Sequence, residues 1–578
     1  MAKGKLTLKP FLESIENLCN GMSHEELTET ILTLAKEVPV GERADWLEKL
    51  RLICPGEKVK PNAETIETFE KIVYDRIEAL KEDMLERAES IEDGSFWDSD
   101  YFGGEEDFYD DNPDFVSEEQ IDELIDIFEN AEFFFLEGDP TRARDIYRRL
   151  FDLFHEVDDL GHLLSGNRND FDFKEARARY CRCVYETSDK ENRVREMIDA
   201  MDVGASIALH TLILDKEPFP MLRDVIDAKP GKMPDREEFL SDWADALTEK
   251  KFNRAATLRL EASSLLEGAD GPAKLAREWG KTQPRGYVFW VQELFKREDW
   301  KGLSEACHEA LEILHSGPFR EQVAGYLEKA AENLSDPDLI LKSKREQFFS
   351  VPEESNLLAL MEEAERQDLR ETELENIQKV YANPKKGTPL MEGPLYTKFL
   401  LMAGELKAAF EEAKNADSVG WSSGKAGLVF GSTLYVVCGK SESATVIREL
   451  LKSYANRKIG FYSNTEASGK PSFFSEILKG IDRAEVSPAD IREFQEWADK
   501  IGRGRIDRIV SNKHRNAYGR AASTLGALAE CLILSDRPDE AQCLVKEFYS
   551  DKYNRFPAFR REVKSVFQQS KVLRLIRL

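Results

Sequence analysis

"FFFLEGDPTRARDIYRRLF", residues 133–151, reads as a helix that ends in an acidic-glycine turn and a second helix that opens at once. Small Ala143 at the crossing lets two helix backbones approach, and Tyr147 one turn later fills the groove beyond. The phrase returns in variants: "DALTEKKFNRAATLRLEA" (245–262), "ELFKREDWKGLSEACHEAL" (293–311), "LLMAGELKAAFEEAK" (400–414) and "LILSDRPDEAQCLVKEF" (532–548). Each predicts a helical hairpin joined by a short polar turn.

Helical periodicity holds elsewhere. "SHEELTETILTLAKEV" has a cap at Ser23, Glu26 at the third helical position and apolar Leu27, Ile31 and Leu34. "NAETIETFEKIVYDRIEALKEDMLERAESI" (62–91) keeps apolar positions three and four apart. The best strand-like run, "STLYVVCG" (432–439), is short. The expected fold is all-α, an irregular helical-hairpin repeat array with an acidic loop insertion. It resembles tetratricopeptide-type α-solenoids, although the turns centre near 138, 250, 298, 404 and 536 rather than at a fixed interval of about 34. Ordinary antiparallel hairpins in globular domains remain the alternative.

Three further stretches, "EARARYCRCVYETSDKENRVREMIDAM" (175–201), "SNKHRNAYGRAASTLGALAECLILSDRPDEAQ" (511–542) and "FPAFRREV" (556–563), resemble the helical regions of some bacterial SWIM zinc-finger proteins. The finger itself needs Cys-x-Cys followed by Cys-x-His. Cys181 and Cys183 supply the first half, and no Cys-x-His occurs, so the finger's metal and nucleic-acid roles do not transfer.

The 578 residues carry a formal charge of −29 with 41% hydrophobic residues, enough for a sizeable core. That charge argues against general binding to nucleic acid or anionic membrane. It is unevenly spread: residues 500–578 hold 17 Lys and Arg against 8 Asp and Glu, a net of +9, leaving −38 for the rest. Eight cysteines are too few for a disulfide framework; Cys19, Cys54, Cys307, Cys438, Cys531 and Cys543 read as small core residues. "MAKGKLTLKPF" lacks an apolar core, and no unbroken apolar run reaches about 18 residues, so a cytoplasmic protein is expected.

Composition divides the chain into a helical module (1–91), an acidic aromatic linker (92–117), a helical-repeat region (118–384), a Gly/Ser-rich segment with hinge or cleavage loops (385–480) and a basic helical module (481–578). The linker, "GSFWDSDYFGGEEDFYDDNPDF" (94–115), has no Lys or Arg. As a calcium loop from Asp98 it fails at Phe102 and Tyr109, where ligands belong. It is either a solvated loop or a docking segment presenting Phe96, Trp97, Asp98, Asp100, Tyr101, Phe102, Glu105, Glu106, Asp107, Phe108 and Tyr109 to a partner.

Reactive motifs fail in turn. "GKTQ" (280–283) lacks a phosphate-loop glycine at Leu275, and "GWSSGKAG" (420–427) has Ala426 in place of the hydroxyl. His155 and His162 lie seven apart rather than four. Cys181 and Cys183 on a helix point about 200° apart. Cys307 and His308 face different ways, and there is no GxSxG elbow. No catalytic residue, metal or cofactor is expected. The basic run "KIGRGRIDRIVSNKHRNAYGR" (500–520) offers Arg503, Arg505, Arg508, Lys513, Arg515 and Arg520, either to a carboxylate-rich protein or, less in keeping with the overall charge, to nucleic acid. It is otherwise the solvated face of terminal helices.

A non-enzymatic adaptor for another protein is therefore the leading expectation. The second is a regulator that sequesters a factor and is switched by proteolysis within 385–480, the plan of substrates of CRISPR-linked caspase-like proteases. An unrecognised enzyme is the third.

Overall fold

The computed structural model describes residues 8–37, 63–92, 116–156, 172–202, 219–229, 232–250, 253–384, 386–391, 393–421, 425–456 and 472–578. Among these there is no strand, and the chain is all-α. It forms two compact units, Met1–Glu278 and Trp279–Leu578.

The first unit opens with α1 (Leu8–Asn20), α2 (His24–Glu37), α3 (Ala63–Glu92), α4 (Glu118–Leu136) and α5 (Pro140–Glu156). It continues with α6 (Phe173–Thr187), α7 (Lys190–Ala200), α8 (Leu222–Asp227), α9 (Arg236–Thr248), α10 (Asn253–Glu267) and α11 (Asp270–Trp279). The expected cap of α2 is present: Glu26 N–H donates to Ser23 Oγ at 3.3 Å, and Ser23 N–H to Glu26 Oε2 at 2.8 Å. Ile31 and Leu34 nevertheless stay exposed.

Helix α6 divides this unit's interior. One face, with Cys183, joins Ile77, Phe128, Phe135 and Tyr147 of α3, α4 and α5. The other, with Cys181 and Tyr185, joins Met197, Trp243 and Leu258 of α7, α9 and α10. The Cys-x-Cys thus points into two separate cores, as a helical i,i+2 pair must. Cys307, Cys438 and Cys531 are also buried, but Cys19 and Cys543 are exposed: every described side chain of α1 is exposed, and Cys543 falls on the solvent side of its helix.

The second unit begins with the pairs α12 (Arg285–Lys296) and α13 (Trp300–Ile313), α14 (Pro318–Leu334) and α15 (Pro337–Ser350), α16 (Glu354–Arg366) and α17 (Arg370–Ala382). There follow α18 (Pro394–Met402), α19 (Leu406–Ala413), α20 (Ala426–Val437), α21 (Thr445–Ala455) and α22 (Phe473–Arg483). It closes with α23 (Pro488–Ser511), α24 (Tyr518–Leu534), α25 (Pro538–Lys546) and α26 (Pro557–Gln569).

One turn links the helices of each pair. A left-handed residue follows the first helix, and the next N–H reaches back five residues to a carbonyl, satisfying a group the helix end would orphan. Asp139 bonds Phe134 at 2.9 Å across Gly138, Asp299 bonds Leu294 at 3.1 Å across Glu298, and Asp336 bonds Ala331 at 3.0 Å across Ser335. Leu369, Glu405 and Arg537 repeat the bond across Asp368, Gly404 and Asp536. The left-handed residues that follow the first helix of five successive pairs in the second unit, 298, 335, 368, 404 and 439, are spaced 37, 33, 36 and 35 apart. That is close to the ~34 residues of the shorter two-helix repeats. The turns at 335 and 368 fall within what the sequence showed as one long gap.

The array ends in a bundle around α20 and α24, where nearly every α20 residue is buried. "STLYVVCG" belongs to α20 and its C-cap because its apolar residues cover the whole circumference of a central helix. One continuous core runs from Leu341 to Leu573 and includes Phe399, Trp421, Phe430, Leu451, Phe494, Leu525 and Phe559.

Candidate functional site

The aromatic and acidic candidates Phe96, Trp97, Asp98, Asp100, Tyr101, Phe102, Glu105, Glu106, Asp107, Phe108 and Tyr109 lie outside the described residues. The six basic candidates lie on α23, α24 and the turn between them. Ser487 caps α23, with its Oγ accepting Asp490 N–H at 3.2 Å, and Pro488 opens the first turn. The helix stops at Asn512; Lys513 is left-handed (φ 60°), and His514 N–H returns to Ile509 O at 3.1 Å. A short 3₁₀ turn, Arg515–Ala517, then leads into α24.

The structure sorts the six into two groups. Arg503 places its Nε 2.8 Å from both carboxylate oxygens of Asp499 and its other arm 2.7 Å from Glu547. Burial opposes its charge, but those carboxylates prevail and hold its pKa above the ordinary arginine value. Arg505 is 4% exposed and lies 4.2 Å over the ring of buried Trp421. It donates to Ser418 O at 3.5 Å and Tyr454 Oη at 3.4 Å, and burial pushes its pKa down. Arg508 binds Asp417 at 2.6 Å, and that bond keeps the Asp417 carboxyl below its usual range. Arg503 and Arg505 are tied into the fold, whereas the Arg508–Asp417 pair lies at the surface.

Lys513, Arg515 and Arg520 are exposed, and none has an ion pair among the described residues. Their end of the unit gathers further positive charge. Tyr518 and Phe559, one at the start of α24 and one at the start of α26, bring their rings to 6.1 Å. At the other end Ser570, just beyond α26, donates to Glu530 of α24 at 2.6 Å. The two helices therefore run parallel, and both N-termini, each the positive end of a helix dipole, emerge beside the basic turn. Asp507 at this end is taken up by Tyr553 Oη at 2.7 Å and Lys552 at 3.4 Å. Exposed Arg555 precedes α26 by two residues, and Glu562 in that helix brings a carboxylate against Gly519 at the start of α24.

Sequence reasoning missed the buried carboxylates that cap helices from a distance. Glu261 on α10 accepts the N–H groups of Leu222 (2.7 Å) and Arg223 (2.9 Å) at the start of α8. Beside it on α10, Arg254 donates to the carbonyls of Met201 and Pro220 at 3.0 and 2.8 Å. Burial raises the Glu261 pKa to about 7. Glu530 serves α21 in the same way. The available signal was a charged residue on an otherwise apolar helical face.

Chemically this surface offers cations. Burial pushes the thiols of Cys181 and Cys531 up to about 12, far from thiolate at neutral pH. Among the described residues no group of three or more His, Cys, Asp or Glu is placed to hold a metal ion. No helix there is long and apolar enough to cross a membrane.

No family model matches the chain, and no curated protein matches it. Among solved structures it is similar to a "Circular tandem repeat protein with novel repeat topology and enhanced subunit contact surfaces". Identity is 12%, covering 88% of this chain and 98% of that one, with a TM-score of 0.14. At that score the likeness bears on neither the fold nor the function. By its own turn geometry the chain is an all-α protein of two-helix repeats.

Proposed function

We propose that the chain is a non-enzymatic adaptor that receives an acidic segment of another protein on the basic end of its second unit. The observation that carries this reading is the exposure of Lys513, Arg515 and Arg520, without carboxylate partners among the described residues, beside two helix N-termini. The neighbouring Arg503, Arg505 and Arg508 each have partners within the fold: Glu547, the Trp421 ring and Asp417. Charge-assisted hydrogen bonds to such cations contribute about 1.5–3 kcal/mol each when shielded, and much less at a wet rim. A protein partner suits the charge balance better than a nucleic acid, which the remaining net of −38 would repel.

In the second reading, a proteolytic switch, a cut within 385–480 must also open a shared core. Phe399, Trp421 and Leu451 from that stretch pack in the same cluster as Phe494, Leu525 and Phe559. Nothing in the geometry favours release over continued association.

Affinity capture with mass spectrometry tests the adaptor. Wild type is compared with a K513E/R515E/R520E variant and with a variant lacking 92–117. Loss of partners with the first variant supports the basic surface, and loss with the second assigns docking to the acidic stretch. Identical partner lists for all three remove both.

A further inference from the structure

Within the first unit, α5, α6 and the end of α7 line an open cleft of ≈ 310 Å³ whose wall includes Phe151, Asp152, Arg177, Tyr180, Asp199 and Asp202. That volume is at the small end of ligand sites. Arg177 is its unusual member. The guanidinium carbon lies 4.7 Å over the ring of Phe151 and 5.1 Å over that of Phe219. Aromatic rings thus cover the cation, and its N–H edge is what remains for a hydrogen-bond partner.

That edge is poorly used. The side chain is only 13% exposed, and its one ion pair among the described residues is with Asp202 at 3.8 Å, too long for a hydrogen bond. Burial lowers the Arg177 pKa, and the neighbouring Arg254 works in the same direction. A largely buried charge with so distant a counter-ion is costly unless something completes it.

The surroundings decide what could. A plain anion would meet Asp152, Asp199 and Asp202 on the same wall, where the other two arginines are already paired, Arg144 with Glu196 and Arg148 with Asp145 at 2.6 Å. Glu196, by contrast, is already taken by Arg144 at 2.8 Å. A molecule carrying a carboxylate and an ammonium group close together enters without net charge. Its carboxylate can take the Arg177 edge in a bidentate pair. Its ammonium then faces Asp202, which the left-handed backbone at the end of α7 (φ 49°) holds beside Arg177, and Asp199 one turn before. Half-buried Tyr180 on the same wall carries a hydroxyl that can act as a further donor. We propose that this cleft binds a free α-amino acid, its zwitterion inserting between Arg177 and Asp202. The site is separate from the basic surface of the second unit, and the two proposals stand or fall independently.

The test uses the full chain. Each standard L-amino acid is titrated by thermal shift and calorimetry, and any that binds is compared with its N-acetyl and amide derivatives. The expected result is at least one amino acid binding with a dissociation constant of about 1 mM or tighter, and no binding by either derivative. Arg177→Gln and Asp202→Asn should each weaken that amino acid by about tenfold or more. If Arg177→Gln does not fold, exposed Asp199→Asn provides the readout, again with weaker binding expected. Failure of every amino acid to bind overturns the proposal. So does an N-acetyl derivative that binds as well as its parent, or folded variants with wild-type affinity.

Discussion

Glu530 on α24 accepts the backbone N–H of Ile447, in the first turn of α21, at 3.0 Å, while its other oxygen accepts the Ser570 hydroxyl at 2.6 Å. One fully buried carboxylate therefore joins the start of one helix to the end of another. Glu530→Ala would leave a buried N–H and hydroxyl without partners and open a cavity. A loss of about 2–4 kcal/mol is expected, read as a lower urea midpoint for the full chain. Glu530→Gln, which keeps one acceptor, should lose less than half of that.

Glu261 makes the analogous junction to α8, and its pKa of about 7 gives it a pH signature. In the unfolded chain the carboxyl titrates near 4.5, so between pH 4.5 and 7 the native state holds a proton that the unfolded state has released. Stability from this group is therefore full below about pH 4.5 and falls as pH rises to about 7. The loss is on the order of 3 kcal/mol before other groups are counted. Glu261→Gln should flatten that part of the curve. Parallel stability–pH curves for variant and wild type would contradict the assignment.

The turn bonds can be tested singly. Asp368 is exposed and left-handed (φ 57°), so Asp368→Val should cost about 1–2 kcal/mol, whereas Asp368→Gly should be neutral or slightly stabilising. Gly480 of α22 lies against the last carbonyls of α18, where a Cβ would overlap Leu401 O and Met402 O. Gly480→Ala should therefore cost more than about 2 kcal/mol by chemical unfolding.

These turns show how far the sequence could be read. Period-3.6 patterning gave the all-α class, and "EGDP" at 137–140 gave the hairpin, because Gly and Asp announce a left-handed stop and a cap. "LSDP" at 334–337 carries the same signal with Ser335 in the left-handed place, and Asp368 is reached through "RQDL" with no glycine at all. The helices after 335 and 368 open with "PDLILKS" (337–343) and "RETELEN" (370–376), without the early alanine that marks the legible hairpins, so the interval is hidden and the turns look scattered. The basic run was visible as charge. Which arginines are engaged was not, because Asp417, Trp421 and Tyr454 meet Arg505 and Arg508 only after the chain has folded across 51 to 91 positions. Exposure of Lys513, Arg515 and Arg520 likewise follows from the helix stop at Asn512, which puts them at and just beyond the turn.

Limited proteolysis separates an array from a switch. Under the adaptor reading, a single nick within 385–480 leaves fragments that co-elute in native chromatography, since the core from Leu341 to Leu573 still joins them. Fragments that separate without denaturant would favour the switch.

Charge reversal at the surface should leave the fold alone. K513E/R515E/R520E is expected to unfold within about 0.5 kcal/mol of wild type, because none of the three has an ion pair among the described residues. Arg505→Met should behave in the opposite way. It removes a buried cation stacked on Trp421 and lowers the urea midpoint while sparing the exposed patch.

The most direct measurement is the salt dependence of partner capture by wild type and by K513E/R515E/R520E, run side by side. Proteins with acidic segments should be held by wild type at low salt and released as salt rises. The variant should fail to hold them at either salt concentration. Partners retained equally by both proteins, or retained by wild type without regard to salt, would contradict the adaptor reading.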